Sequence, residues 1–368
     1  MNTTKINSVE AIMLVLTIVV THTILSLPRT ILAFSKSATL LNIVYVSVIA
    51  ILISYVIFRL FKNFSNLDII DVSEFLGGKT LKNIIGIIFI IYFITTSSIL
   101  LRNFCESLKI IYFPMTSLKY IVLLFVVALS VANRFNFNSI IKTNALILPI
   151  FFVSVLFLFF TNFNKFVPQR IFPIFGEGIF HTFGLGLINL SSFSGIVCLY
   201  FIPPMLKEPK KFKKVCVISI IIYSIYLILC IATLLFMFSF FITENEVTPL
   251  YTATRYIEFG NFFQRLESVF LLCWILSFAC YLSCTMQFSI RIFQKMTNIE
   301  NRNELINISL LLIFAITMTP ENYSISGNLE IRVYPYFVLA LVFIVSLLIL
   351  IFANLKNKKL IRKADHNG

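Results

Sequence analysis

The sequence predicts an all-α polytopic membrane protein of about ten transmembrane helices, and three observations converge on that class. Hydrophobic residues make up 59% of the 368 and charged residues only 12%, against about 45–50% and 25% in ordinary globular chains, so polar surface is too scarce to dress a water-soluble fold. About ten apolar runs follow one another, most of them near or above the ~20 residues that span ~30 Å of hydrocarbon. The 30 Lys and Arg gather in short connections between those runs, where they set topology.

The runs fall at Ala11 to Phe34, Ala38 to Phe61, Ile84 to Leu101, Tyr120 to Ala132, Ile140 to Phe160, Ile179 to Ile202, Val215 to Phe241, Val269 to Phe288, Leu305 to Thr319 and Val333 to Phe352. The first follows a polar start with Lys5, is longer than a signal-peptide core and has no A-x-A cleavage site after it, so it is read as a retained helix. The fourth and ninth are short, near the length at which a span and a re-entrant segment look alike, and each extends by a turn through its flanks. Between the second and third runs, Asp68, Asp71 and Glu74 precede Gly77 and Gly78, the pattern of a short interfacial helix stopped by glycine. Between the seventh and eighth, Ile242 to Gln264 carries Glu244, Glu246, Pro249, Arg255 and Glu258: a solvated cap or a partner surface. Both stretches are loop-sized, so 1–368 is read as a single transmembrane domain.

A net charge of +14 would point to nucleic acid in a soluble protein, but charges confined to short loops between apolar runs exclude that partner. With the N-terminus inside, 20 of the 30 Lys and Arg lie on the inner side, most densely at Lys207, Lys210, Lys211, Lys213 and Lys214 and in a basic tail over 354–368. Both termini are therefore expected in the cytoplasm. The seven cysteines (Cys105, Cys198, Cys216, Cys230, Cys273, Cys280, Cys284) show no CxxC or Cys/His metal spacing and read as core residues. No metal, no cofactor and no enzymatic activity are expected.

Cutting after the fifth run gives two halves, about 9–161 and 177–353, and an odd number of helices per half inverts the second relative to the first. The fourth helix of each half is short. The first of each half carries polar or helix-breaking residues: Thr21, His22, Thr23, Ser26 and Pro28 in one, Asn189, Ser191, Ser192, Ser194 and Gly195 in the other. Interrupted helices at matching positions point to a midplane site, because unwound backbone is tolerated only where it lines a cavity. The expected fold is a LeuT-like 5+5 inverted repeat with broken first and sixth helices.

Pro28 lacks an N–H and clashes with the carbonyl four residues back, which frees acceptors near Ile24; a proline kink healed by Ser/Thr back-bonding is the plain alternative. His22 is costly inside a bilayer, and a neutral imidazole bonded to a neighbour is its expected state. In the sixth helix Ser192 and Ser194, followed by Gly195, form a window whose N–H groups face an anionic ligand group, although small residues also serve close helix contact. The third helix offers Tyr92 and Thr96, and the eighth Tyr281 and Thr285 at i, i+4 on one face; interhelical hydrogen bonding is their plain alternative. Trp274 and Ser277 lie a turn or two outward. Arg265 and Glu267 open the eighth helix and Glu10 precedes the first run, both acids at helix beginnings. No buried midplane acid is apparent, so no proton relay is expected. The candidate ligand residues are thus Thr21, Thr23, Tyr92, Thr96, Ser192, Ser194, Gly195, Tyr281 and Thr285.

Specific strings add to the physics: Leu27-Pro28-Arg29, Phe172-Pro173-Ile174-Phe175-Gly176-Glu177-Gly178, Thr248-Pro249-Leu250 with Arg255-Tyr256-Ile257, Arg265-Leu266-Glu267-Ser268 running into Trp274, and Thr319-Pro320-Glu321-Asn322. Over nearly its whole length the chain resembles the B subunit of the spore nutrient-germinant receptors, the endospore germination permease branch of the amino acid, polyamine and organocation transporter superfamily. The resemblance implies residence in the spore inner membrane, assembly with germinant receptor A and C subunits, and sensing of a small nutrient such as an amino acid at the broken-helix site to trigger germination. The chain departs from the family pattern in carrying Thr21 and Thr23 where glycines are common, and Val197 where an acid often follows the sixth-helix glycine; side chains then stand where backbone usually meets ligand. A receptor subunit is the leading function. The alternatives are a secondary amino-acid transporter of the same fold and a conduit or structural subunit that binds nothing tightly.

Overall fold

Lipid offers backbone polar groups no hydrogen bonds, so a chain this apolar must satisfy them within helices. The computed structural model describes residues 5–24, 27–246, 248–256, 266–299 and 301–367. Among them the helices are α1 (Ser8–Ile24), α2 (Leu27–Ser35), α3 (Thr39–Phe61), α4 (Ile69–Ile111), α5 (Leu118–Arg134), α6 (Phe137–Thr161), α7 (Phe180–Tyr200), α8 (Phe212–Met237), α9 (Phe240–Asn245), α10 (Pro249–Arg255), α11 (Leu266–Thr297), α12 (Arg302–Met318) and α13 (Tyr323–Ile361). Seven segments are long and apolar enough to cross a membrane, and Ser8–Thr21 within α1 is a shorter apolar helix. Large apolar side chains such as Leu124, Leu146, Val153 and Phe160 stand exposed on the flanks, as lipid contact allows. This is an integral membrane protein.

The local signals explain several boundaries. Asp68 caps α4, accepting from the Ile70 and Asp71 N–H groups at 3.0 Å, while Asp71 Oδ2 accepts from the Asp68 N–H at 3.2 Å, a reciprocal box that satisfies orphan donors. The helix then breaks at Gly77 and Gly78, the latter at φ +70°, where only glycine is at ease. The short helix and its glycine stop are therefore present. Pro28 is buried in α2, and the two residues before Leu27, where the break beside the proline is expected, lie outside the described residues. The helices of the short runs, α5 and α12, reach 17 residues each, about 25 Å at the helical rise.

Hydrogen bonds tie the connections into two ends. At the basic end Ile6 N–H donates to Met205 O (2.8 Å), Lys295 Nζ reaches Asp68 and Asp71 (both 2.6 Å), Arg302 donates to Asn133 O and Phe135 O, and Asn63 donates to Asn354. At the opposite end Lys36 pairs with Glu177, Ser37 Oγ donates to Pro173 O, and Tyr112 OH meets Tyr251 OH at 2.8 Å. The last contact ties α10 to the residue that follows α4, and α10 packs against α11 and α8 with Leu250, Tyr251 and Ala253 buried, so this part of the polar stretch is a packed cap; Glu258, Arg265 and the side chains of Glu244 and Glu267 lie outside the described residues. In the centre α11 touches α1, α4 and α6, while α1 lies against α7 and α8.

Candidate ligand-binding site

In α7, where a break is expected, the backbone departs from a regular α-helix. A π turn over Phe180–Gly184 passes into tight 3-10 winding over Leu185–Tyr200, with Phe193 off helical values at φ −94°, ψ 25°. Winding of that kind is uncommon beyond a few residues and marks hinges or strain when it falls mid-helix. Buried amides support it. Asn42 Nδ2 donates to the carbonyls of Thr182 (2.7 Å) and Gly186 (3.0 Å), and Asn189 Nδ2 donates to Ser35 Oγ and Asn42 Oδ1, both at 2.7 Å. Tyr223 OH donates to Ser192 O at 3.0 Å. Side chains from α3 and α8 thus satisfy carbonyls of the irregular segment. A Cβ on Gly195 would lie 2.8 Å from Val19 N and 2.9 Å from its Cα, so glycine is what lets α7 approach α1.

Hydroxyls from four helices converge beside this segment. The Tyr334 hydroxyl of α13 lies beside those of Ser194 on α7 and Tyr92 and Thr96 on α4, and Tyr281 of α11 neighbours both Tyr334 and Ser97. Ser97 Oγ donates to Thr285 Oγ1 at 2.8 Å, linking α4 to α11. Thr96 Oγ1 and Ser192 Oγ are buried without a hydrogen-bond partner among the described residues, which is costly unless something else supplies one. A cavity of about 250 Å³ opens between α4 and α13, walled by Thr96, Tyr334 and the apolar Ile91, Ile99, Leu329 and Phe337.

Of the nine candidates, Ser192, Ser194 and Gly195 thus lie in the irregular part of α7, and Tyr92, Thr96, Tyr281 and Thr285 gather beside it. Thr21 is buried, and its Oγ1 donates to Thr17 O at 2.7 Å within its own helix, the back-bonding that a threonine in an apolar helix falls into. Thr23, with His22 and Ser26, lies outside the described side chains. Trp274 packs edge-on against Phe104 at 4.8 Å between ring centroids, as expected for a side chain off the site.

Two residues that the sequence did not single out belong here. Tyr334 is the hub of the cluster, and Glu330, one turn before it, is 5% exposed and accepts from Asn103 Nδ2. Glu106 is also buried and accepts from Arg102 Nη2 at 2.9 Å, while Arg102 Nη1 donates to Thr317 O at 3.3 Å. Glu106 and Glu330 are thus two buried acids that the sequence reading did not pick out. The tenth run was read to begin at Val333, but the helix starts at Tyr323 and carries Glu330 inward with it. The signal was the spacing of Glu330, Tyr334, Val338 and Leu341, a helical stripe that continues the apolar run backwards.

At the basic end a cavity of about 950 Å³ is lined by Lys5, Arg291, Lys295, Arg302, Asp68 and several amides, with Phe137, Phe201 and Phe288 also on its wall. Phe288 stacks on Phe93 at 5.5 Å and meets Phe201 at 5.6 Å, and Tyr92 stands next to Phe93. A layer of phenylalanine rings thus separates this cavity from the hydroxyl cluster.

With the geometry in place, comparison with known proteins identifies the family. The profile of the spore germination protein family, a spore permease family, matches residues 5–326. The chain belongs to the spore germination protein family. Spore germination protein B2 of Bacillus subtilis (strain 168) is 23% identical over 328 residues, covering 86% of this chain and 87% of that protein. Spore germination protein YndE of the same organism is 24% identical over 283 residues, covering 74% and 76%. Among solved structures, a substrate-bound, outward-open Na+-coupled sialic acid symporter superposes with a TM-score of 0.63 at 9% identity, over 93% of this chain and 80% of that one. This spore germination protein thus has a transporter fold and is a germination-related, permease-like membrane protein, and its named relatives are germination proteins.

Proposed function

We propose that the chain is a nutrient-germinant receptor subunit of the spore inner membrane, with ten membrane crossings arranged as a LeuT-like 5+5 inverted repeat and both termini in the cytoplasm. A small nutrient, an amino acid in the first place, binds at the hydroxyl cluster, and germinant receptor A and C subunits read the resulting change of state. The observation that carries this is the convergence of Tyr92, Thr96, Ser194, Tyr281 and Tyr334 from α4, α7, α11 and α13 beside the irregular turn of α7. A set of polar groups fixed in an apolar surround is what a small-molecule site needs, and the hydroxyls of Thr96 in the set and Ser192 beside it have no hydrogen-bond partner among the described residues. Binding shifts the receptor only if the nutrient favours one conformation over the other. The basic end, with its cluster of inner-loop lysines, faces the cytoplasm under the positive-inside rule.

A secondary transporter is the alternative, favoured by the symporter likeness and by the 950 Å³ cavity, which suits one side of an alternating-access cycle. A conduit without tight binding is the third. Purified protein in proteoliposomes separates them: saturable binding of L-amino acids without uptake supports the receptor, uptake supports the transporter, and neither leaves the conduit. Deletion in the spore-former should abolish germination by part of a nutrient panel; unchanged germination across the panel would refute the receptor assignment.

A further inference from the structure

We infer that the cavity at the basic end binds a phosphate monoester, carried either by a soluble metabolite or by the headgroup of an anionic lipid. The site is separate from the hydroxyl cluster and holds whichever function that cluster serves. Its volume of about 950 Å³ falls within the ~300–1,000 Å³ of small-molecule sites. Among the described residues, the charged groups on its wall are four cations, Lys5, Arg291, Lys295 and Arg302, and one acid, Asp68. That acid is committed: together with Asp71 it holds Lys295, each at 2.6 Å.

Lys5 and Arg302 are positioned by neutral groups. Lys5 Nζ donates to Pro204 O at 3.0 Å. Arg302 Nη2 donates to Asn133 O at 3.1 Å and to Phe135 O at 2.6 Å, carbonyls at the end of α5 whose helix dipole offsets about half a charge at most. The Arg291 guanidinium lies over the Phe137 ring, 4.4 Å from its centroid, a contact that places a cation and leaves it charged. Arg291 and Arg302 are also close enough to act on each other electrostatically. Two like charges on a wall that includes Phe137, Phe201 and Phe288 repel more strongly than they would in water, and an anion that meets both relieves the repulsion. Asn138 Oδ1, on the same wall, is buried without a hydrogen-bond partner among the described residues; a half-turn of that amide presents its NH2 group to the same anion. The cations reach the cavity from the N-terminal segment, the end of α11 and the start of α12. A phosphate monoester, with about −1.5 to −2 charges and three acceptor oxygens, can accept from donors on several elements at once, whereas a planar carboxylate offers two oxygens. The three phenylalanine rings leave apolar wall for the organic body that the ester carries.

Equilibrium dialysis of purified full-length protein against radiolabelled sn-glycerol 3-phosphate, with glycerol as the unphosphorylated control, tests the soluble source. Native mass spectrometry of protein released from phosphatidylcholine nanodiscs with added phosphatidic acid, whose headgroup is the same monoester, tests the lipid source. Saturable binding is expected in at least one arm. Arg302→Gln should weaken it about ten-fold or more, the scale of a hydrogen bond to a charged group, and the more exposed Lys5 should show a smaller loss in Lys5→Gln. Lys358→Gln, which removes an exposed cation of α13 outside the cavity, should change nothing. Binding in the dialysis arm alone assigns a metabolite and binding in the lipid arm alone a headgroup, and either supports the site. No saturable binding in both arms would overturn it, as would equal weakening by Lys358→Gln and Arg302→Gln, which would reduce the effect to a general basic surface. Tighter binding of a polyglutamate peptide than of either phosphate would also overturn it and give the basic wall to an acidic protein segment. Where Arg302→Gln does not fold, Lys5→Gln against Lys358→Gln decides, and equal binding by those two overturns the site.

Discussion

Single atoms decide whether the site exists. At Gly195 the α1 backbone stands where a β-carbon would go, 2.8 Å from Val19 N, and backbone cannot swing aside as a flexible side chain does. Gly195→Ala should therefore push α7 off α1 and cost ~1–3 kcal/mol as overpacking does, read as a lower thermal unfolding midpoint in detergent. Tyr334→Phe does the opposite: it keeps the ring and removes the hydroxyl that Ser194, Tyr92 and Thr96 surround. Loss of the one hydrogen bond that this hydroxyl would make to the ligand, worth ~0.5–1.5 kcal/mol, should raise the amino-acid concentration for half-saturation about two- to ten-fold, with the unfolding midpoint nearly unchanged. Equal binding by the two proteins would remove Tyr334 from the site. Tyr92, Thr96, Ser194, Gly195, Tyr281 and Thr285 were legible as candidates because polar residues in an apolar helix are conspicuous. Tyr334 and Glu330 were not, because neighbours such as Asn328 and Arg332 make that stretch look like loop, and only its partner across the cleft, Asn103, shows that it is helix.

The elements hold one another chiefly at their ends. Lys295, near the end of α11, bridges Asp68 and Asp71 at the start of α4 at 2.6 Å each, with the three side chains 27%, 13% and 22% exposed. Removing the cation strands two carboxylates that also cap α4, so Lys295→Met should destabilise the protein by ~2–4 kcal/mol, somewhat below the value for a fully buried pair because water still reaches the lysine. Lys295→Met combined with Asp68→Asn and Asp71→Asn should recover part of that loss, since asparagine still caps a helix; a triple variant no more stable than the single one would show that the bridge matters through α11 alone. The interfacial start of α4 and its glycine stop were readable because caps and glycines act within a few residues. The boundaries of α5, α12 and α13 were less so. Their end turns are polar, and polar end turns look like loop until the opposite helix that accepts them is known.

At the scale of the whole molecule, the described residues form a cavity of about 950 Å³ at the basic end of the bundle. Behind the 950 Å³ cavity at the basic end stand Phe201 and Phe288, backed by Phe89 and Phe93, and only past these rings does the hydroxyl cluster begin. Cys198, buried on α7 three residues before Phe201, lies near Tyr281 and Cys284 of α11, so these thiols report access to the cluster from the basic end. Replacing Phe201 by alanine removes a ring of the layer without touching any hydroxyl of the site. In inside-out vesicles, where the basic end faces the medium if the cytoplasmic assignment is right, a membrane-impermeant thiol reagent should modify Cys198 and Cys284 slowly in the wild-type protein and at least ten-fold faster in Phe201→Ala, as mapped by peptide mass spectrometry. A bound amino acid should slow the reaction in the variant, because the ligand then fills the space behind the missing ring. Fast modification of the wild-type protein would mean that the rings do not close the path, and fast modification only in right-side-out vesicles would place the basic end outside the cell and reverse the topology.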